Sequence, residues 1–430
     1  MNKEMDALMT IPPQNVTLLG SEGGLAQAVL ALLNRAIADP DDPLYRKLRN
    51  SRLYLIDVRG DPSSFAHAAK YPNLADRLEV RSLDLRNLED FRQHLSATRT
   101  TLVIDLSWAD TLQMLECCNE LGIRYVNTAL ENTEVDEDPT LYGFPLTERF
   151  ERFEDRRDEF DQVTAIVFSG MNPGIVQWMA LELMDENPGR VPRACYIVER
   201  DTSFYTDASR IKPDTVYASW SVECFLDEAI LSYPMFVRDG IPHYFREEVY
   251  SAEYLVRLGN EQFYGCLMPH EEVLTLGRLR DWETGFLYRV SEHTTSQIRA
   301  HLDNVDVLWD WDEEVVSPSK GDVDGEDLVG VLLVYEDEER YLYNAMSSKD
   351  IYPVYGTNAT YFQVACGVYA ALACLWLDPV PKGVHYVDEW LRSGSDCRYG
   401  EYVRRYMKRF ERGSNPTSDG LLAQRRREVD

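Results

Sequence analysis

Two groups of residues in this 430-residue sequence have types and spacings that could do chemistry. The first is Gly20, Gly23 and Gly24, which follow the apolar run Val16-Thr-Leu-Leu and precede Leu25-Ala-Gln-Ala-Val. A glycine turn between a strand and a helix lets the backbone approach a pyrophosphate, which then rests on the helix N-terminus. The usual spacing puts glycines where this chain has Glu22 and Leu25. A carboxylate beside a pyrophosphate is unfavourable, so Glu22 must point away or the turn must be rearranged. An ordinary strand-turn-helix would read the same way. Asp57, at the end of the second apolar run, tilts the balance towards a nucleotide. A carboxylate there accepts both ribose hydroxyls and repels a 2′-phosphate. NAD is therefore favoured over NADP, with Arg59 keeping the second open.

The second group is His270-Glu271-Glu272. A metal reading would need a spaced second histidine, which the sequence lacks, so no metal is expected. The chain carries 73 acidic and 44 basic residues, a net charge of −29. That argues against a nucleic-acid partner, which needs a basic face, and is compatible with a cationic ligand. The basic stretch 404–427 reads as a solvated helix and tail. The eight cysteines form no CxxC pair, and Cys117, Cys118, Cys366 and Cys374 lie in apolar, helix-like runs. Reduced core thiols are the expectation. The first fourteen residues lack the basic-then-apolar layout of a secretory signal, and no uncharged apolar run of about 18 residues suggests a membrane span. Residues 360–377 are strongly apolar but short and interrupted by Gln363, which favours a buried helix. A cytoplasmic location with no membrane partner is expected.

The elements that must position these residues follow from periodicity. Strand-like runs at 16–19, 53–58, 78–83, 101–106, 124–128 and 163–169 alternate with helical stretches at 24–37 and 109–121. Such alternation implies a parallel, doubly wound α/β sheet of Rossmann type. After Pro173 the pattern changes to polar and aromatic stretches with alternating apolar residues at 194–199, 215–222 and 273–279. These suggest a mixed α+β second domain, with the acidic run 303–327 as a surface excursion. The expected organisation is residues 1–173 as the NAD-binding domain and 174–350 as the α+β substrate and dimerisation domain. A C-terminal helical segment, 351–430, is expected to return to the first domain.

Several blocks follow in order along the chain: Val-Ile-Asp-Leu-Ser ending at Ser107, Tyr-Val-Asn-Thr-Ala-Leu-Glu ending at Glu131, and Ser-Gly-Met-Asn-Pro-Gly at 169–174. Glu199-Arg-Asp-Thr, Ser219-Trp-Ser-Val, Glu228, His270-Glu-Glu, Tyr288-Arg289 and His293 come next, then Asp324-Gly-Glu-Asp-Leu and Asn358-Ala-Thr. In these blocks the chain resembles bacterial homospermidine synthase within the wider saccharopine dehydrogenase-like group. The resemblance implies an NAD enzyme without net redox. Putrescine is oxidised to an imine, ammonia leaves as a second diamine enters, and the retained NADH reduces the Schiff base. It implies that Trp220 offers its face to amine and imine cations, and that Glu131, Glu199 and Glu228 are the acidic partners. Asn172 would hydrogen-bond an amine, with His270 as proton carrier and Asp327 completing one cavity. It further implies Ser107, Gly20, Gly23, Gly24 and Asp57 as cofactor contacts, and a homodimer.

Taken one at a time, these residues have plainer readings. Trp220 would be core, Asn172 a turn residue before proline, His293 a satisfied histidine, and the glutamates solvated surface. One alternative activity is a saccharopine or carboxynorspermidine dehydrogenase-like condensation of an amine with a carbonyl compound, consuming NAD(P)H. Its carboxylate substrates would call for arginines, with Arg200, Arg210 and Arg289 as the places to look. The other is a non-catalytic chain that binds nucleotide or polyamine.

Overall fold

Apolar runs that are buried on both faces need not alternate, and those of the N-terminal third do not: Leu53-Tyr-Leu-Ile and Leu102-Val-Ile are buried throughout. The computed structural model, which describes residues 14–59, 69–394 and 396–429, places them in a parallel sheet. The chain forms two compact units. The first comprises Met1–Thr133, Glu151–Gly170 and Val364–Tyr406; the second comprises Glu134–Phe150, Met171–Gln363 and Met407–Asp430.

The seven-stranded sheet of the first unit runs Leu78–Ser82, Leu53–Asp57, Asn15–Leu19, Thr100–Asp105, Arg124–Asn127, Thr164–Val167, Gly383–Tyr386. All its pairings are parallel. From Asn15–Leu19 the chain builds outwards on one side, then crosses back to Thr100–Asp105 on the other. The crevice at a doubly wound sheet's switch point therefore lies at the carboxyl ends of these two strands. Helices Gly24–Ala36, Leu88–Thr98 and Thr111–Leu121 link successive strands. The apolar helix Ala359–Leu377 is long enough to cross a membrane by composition, yet 83% of its apolar window is buried in the fold. Gly367 lies so close to Gly170 that a β-carbon would sit 2.0 Å from the Gly170 carbonyl oxygen.

The second unit is α+β, built on a ten-stranded mixed sheet. At its centre Asp327–Val334 pairs antiparallel with Ala194–Asp201, which pairs parallel with Glu283–Arg289. Strand alternation divides Ala194–Asp201 into two faces. Ala194, Tyr196 and Val198 enter an apolar cluster with Leu287, Leu328, Leu332 and Leu422. Glu199 and Asp201 point to the other face.

Three expectations are corrected. Residues 273–279 are largely the helix Glu271–Gly277, not a strand-like stretch. It is buried all round, so no period of 3.6 shows in its sequence, and Glu271 and Glu272 occupy its first turn, where the helix dipole favours carboxylates. The acidic run is not wholly a surface excursion, because Asp312–Val315 pairs with Thr215–Ala218 and Glu314 is buried, accepting from the Tyr205 hydroxyl and from exposed Lys212. The basic C-terminal stretch is not a solvated tail of the first unit either. Phe410–Asn415 and Arg426–Glu428 are strands of the second unit's sheet. Its arginines find buried acids there: Arg425 meets Glu339, and Arg427 meets Glu253.

Candidate active site

At the switch point of the first unit, Gly20 has φ +70, and a β-carbon there would lie 2.4 Å from the Leu106 carbonyl oxygen. Only glycine fits without strain. The Gly23 N–H closes the turn on the Gly20 carbonyl at 3.0 Å. Helix Gly24–Ala36 then starts with no side-chain cap and no acidic residue in its first turn, so its N-terminal amides remain available to an anion. Glu22 does not spoil this end. Its backbone N–H donates to Asp57 Oδ2 at 3.2 Å, and its charge acts on the neighbouring Lys70 and Tyr71. Asp57 also accepts the Arg59 N–H at 3.0 Å, which fixes its carboxylate at the strand end. Ser107 stands beside the turn, its hydroxyl donating to Asp105 Oδ1 at 2.7 Å. Glu131, half-buried beyond strand Arg124–Asn127, donates its backbone N–H to the Thr111 hydroxyl and accepts the Thr111 N–H on its carbonyl, both at 3.0 Å, and belongs to this unit.

In the second unit the strand pairing assembles a set of buried acids. Asp327 is directly opposite Asp201, and Tyr288 directly opposite Glu199. Because Glu199 and Asp201 share a face, three carboxyl groups and a phenol come together there. Asn172, just before the helix Ile175–Asp185, donates to Glu199 Oε2 at 2.6 Å. Thr360, in the first turn of Ala359–Leu377, donates to Asp327 Oδ2 at 2.6 Å. The Trp220 indole N–H donates to the Tyr288 hydroxyl at 3.3 Å, and the rings of Phe225 and Tyr288 meet edge to face.

A second group adjoins the first through its charges. Trp220 immediately precedes the Ser221 cap of helix Val222–Ile230, which carries Glu228 on its buried face. His270 lies two residues beyond the strand Glu261–Met268 and immediately before the helix Glu271–Gly277. Its Nε2 is 3.7 Å from Glu228; its Nδ1 bonds Glu272 and lies 3.6 Å from Glu271. Both His270 and Glu272 act electrostatically on Glu199, so the two groups form one cluster.

The electrostatics follow from burial with His270 as the counter-charge the acids share. Burial pushes the Glu199 carboxyl up to about 8; the Asn172 bond and His270 pull it back, while Asp201 and Glu272 raise it. Burial raises Asp327 far above the usual range, and Glu199 and Asp201 add to this. Asp201 is raised by burial as well. Glu228 is raised by burial, against the pull of His270. For His270 burial acts downwards, but Glu272, Glu228 and Glu271 outweigh it and hold the imidazole in its charged form. Three buried oxygens, Glu228 Oε2, Glu272 Oε1 and Asp327 Oδ1, accept no hydrogen bond. Acceptors left without donors are costly, and an ammonium group offers three N–H donors and a charge.

Of the residues singled out from sequence, Trp220, Glu228, Glu199, Asn172, His270 and Asp327 thus lie in one cluster of the second unit. Asp201, Glu271, Glu272, Tyr288 and Thr360 join it without having been assigned a role. Asp201 was within reach of the sequence, because a strand carrying Glu199 inward must carry Asp201 inward too. His293 is elsewhere, packed between Phe204 and Tyr217, and burial lowers its pKa. It lines a cavity of about 610 Å³ that shares Asp201 with the cluster.

No protein-family model matches the chain, and no curated protein matches it. Solved structures do. Homospermidine synthase from Legionella pneumophila, in complex with NAD, superposes with a TM-score of 0.70 over 94% of this chain and 91% of its own, at 17% identity. The two share a fold. Saccharopine dehydrogenase (L-Glu forming) from Saccharomyces cerevisiae superposes with a TM-score of 0.58 at 12% identity, over 93% of this chain and 100% of its own. The likeness thus spans both the Rossmann-type unit and the mixed unit.

Proposed function

We propose that the chain is an NAD-dependent enzyme of homospermidine synthase type, acting on diamines. The observation that carries this reading is the cluster itself: Glu199, Asp201, Asp327, Glu228, Glu271 and Glu272 are buried together around one histidine. Carboxyl groups concentrated in this way, with orphaned oxygens, are complementary to a small polycation. The first unit suits the cofactor. Its glycine turn, uncapped helix N-terminus and Asp57 are the parts a dinucleotide needs, and Asp57 favours NAD over NADP.

Bound NAD would supply the hydride acceptor and donor. The chain's own residues would bind, orient and move protons. Trp220 would offer its π face to the amine and the imine, with the indole held by Tyr288. Glu199, turned by Asn172, is a carboxyl group poised to change protonation near neutral pH, as general acid–base work requires. His270 and the glutamates around it would hold the distal ammonium and take up or release its proton. Glu131 is proposed as a further acidic partner, and a homodimer formed through the second unit as the assembly. A monomer in light scattering would count against that assembly.

Reductive condensation of a carboxylate substrate is less well supported. Arg200 and Arg289 lie on the opposite face of the sheet from Glu199. Arg200 pairs with Glu261 and Glu326, and Arg289 with Glu253 and Glu292. Arg210 packs on the ring of Tyr205.

The test is to give the purified chain putrescine and NAD without external reductant. Homospermidine and ammonia should form with no lasting NADH. Ammonia-free condensation of an amine with a carbonyl compound, at the expense of NADH, would overturn the proposal in favour of a reductase.

A further inference from the structure

Two cysteines of the first unit stand where the proposed reaction has no use for them. Cys374 is fully buried in the last turns of helix Ala359–Leu377. Cys397 is half-buried, two residues before helix Tyr399–Tyr406. Their sulfurs and a carboxylate oxygen of Asp378 lie within 4.8 Å of one another. Such a trio can be a metal site or a thiol pair, and the carboxylate discriminates between them. Asp378 Oδ1 accepts from Arg398 Nε at 3.0 Å, Arg398 Nη2 at 2.7 Å and the Tyr402 hydroxyl at 2.9 Å. Its Oδ2 accepts the Arg398 backbone N–H at 3.0 Å. A metal ion would have to share this carboxylate with a guanidinium that already balances its charge, and it would find three ligands where a closed structural site uses four. Two facing thiols remain.

We propose that Cys374 and Cys397 form a reversible disulfide that staples helix Tyr399–Tyr406 to helix Ala359–Leu377. The oxidant is a low-molecular-weight disulfide of the glutathione class. The sulfur of Cys397, the partner nearer solvent, attacks one sulfur of that disulfide; the small S–S bond breaks, and the departing thiolate takes the Cys397 proton. The sulfur of Cys374 then attacks the mixed disulfide, the Cys374–Cys397 bond forms, and a second small thiol leaves with the Cys374 proton. Two electrons and two protons pass from the protein to the oxidant. The second step is the slow one, because burial and Asp378 still hold the Cys374 thiol in its protonated form once Cys397 is in the mixed disulfide.

The staple has a mechanical consequence. Residues 375–396, between the two sulfurs, contain the seventh strand of the sheet, Gly383–Tyr386, and the helix Val387–Arg392. Beyond Cys397, the hydroxyl of buried Tyr399 hydrogen-bonds Ser169 Oγ at 2.9 Å, which also donates to the Gly367 carbonyl at 3.0 Å. Closing this loop restricts the unfolded chain and so stabilises the edge of the sheet.

The experiment uses the full chain, incubated with oxidised glutathione or with dithiothreitol and then melted and peptide-mapped without reduction. Oxidation should remove two hydrogen masses, link the Cys374 and Cys397 peptides, proceed faster as pH rises, and raise Tm by several degrees in a way dithiothreitol reverses. Cys397→Ser, a change outside the core, should abolish the link and the Tm difference together. The proposal is overturned if Cys397 stops as a lasting glutathione adduct, if Cys374 links to Cys366 instead, or if the link forms without raising Tm. It is equally overturned if one zinc ion per chain binds and protects both thiols.

Discussion

The second unit buries carboxylates in two ways, and the contrast between them is informative. Glu253, Glu283 and Glu339 are all within 1% of full burial, yet each meets a guanidinium. Glu253 has Arg289, Arg299 and Arg427; Glu283 has Arg238; Glu339 has Arg425, with Asn415 and the Asp419 N–H filling further lone pairs. For Glu253, burial acts upwards, but Arg299 and Arg427 win and its pKa is lowered. Glu199, Asp201, Asp327 and Glu228 are also buried and, among the described residues, meet no guanidinium, only one another, hydroxyl or amide donors, and His270. The same unit therefore gives Glu253, Glu283 and Glu339 arginines of their own where stability is at stake, and leaves the cluster acids to share one histidine. A charge deficit kept inside a fold that elsewhere supplies arginine freely is best understood as complementary to something that arrives from outside.

Breaking the paired set should have the largest effect. Arg425→Met leaves Glu339 buried without its cation, and removing one partner of a buried pair costs about 3–5 kcal/mol. A large fall in Tm by calorimetry is expected, with much of it restored in Arg425→Met/Glu339→Leu, which removes both charges. Equal instability of the single and double variants would mean that Arg425 matters through its packing on Tyr196 and not through charge.

The unpaired set should respond in the opposite sense. Glu228→Gln removes a carboxyl group that is costly to bury, so the unliganded protein should melt at the same temperature or higher. Putrescine affinity should fall by the value of a charge-assisted hydrogen bond, about 1.5–3 kcal/mol, or roughly tenfold to a hundredfold. The residual binding should be less salt-dependent. Calorimetric titration at two ionic strengths checks both points. A destabilised variant with unchanged putrescine affinity would show that Glu228 is a structural acid like Glu339.

The two sets also differ in their pH dependence. A carboxyl group whose folded pKa is raised, such as Glu199 at about 8 against about 4.3 unfolded, binds a proton in the folded state that the unfolded chain has already lost. Its contribution to stability therefore falls as pH climbs through that window. His270, raised in the folded state, contributes stability below its unfolded pKa that is lost as pH passes its folded value. Both act in one direction, so Tm should decline from about pH 5 to 8. A bound diammonium ligand favours the ionised carboxylates, so the Tm increment from putrescine should grow over the same range. Glu253, with its lowered pKa, contributes stability above its unfolded pKa that is lost only as pH falls through the folded value. An increment independent of pH would remove the charge argument for the cluster.

The first unit was largely legible in the sequence because its strands are continuous apolar runs bounded by turns, and the six read there lie within a residue or two of those observed. The seventh, Gly383–Tyr386, was not, since only tertiary pairing with Thr164–Val167 makes four residues a strand. In the second unit the burial of Glu271–Gly277 on all sides hid its helical period. The cluster was legible only residue by residue. Glu199 and Asp201 advertise a shared face, but nothing local to Asp327 says that it will stand opposite Asp201 from 126 positions away, which is a matter of sheet register. Arg427 beside Glu253 and Arg425 beside Glu339 were hidden for the same reason, in a C-terminal stretch whose composition alone suggested solvent.

The smallest expected effect sharpens the comparison at its centre. Tyr288 is buried beside Glu199 and Asp201, and burial together with those carboxyls holds its hydroxyl firmly protonated. It is the group that accepts the Trp220 indole N–H. Tyr288→Phe keeps the ring that packs on Phe225 and Phe286 and removes only this acceptor. One neutral hydrogen bond is worth about 0.5–1.5 kcal/mol, so turnover of putrescine should fall by no more than roughly tenfold. NAD affinity should stay unchanged, because the cofactor contacts proposed above are in the first unit. Trp220→Ala should lower turnover further, since it removes the π face and not merely its orientation. If the double variant is no slower than Trp220→Ala alone, Tyr288 acts through the indole, as a positioning residue should. If the two losses multiply, Tyr288 has a separate role, and the simplest is that its hydroxyl itself meets the amine among the unpaired acids.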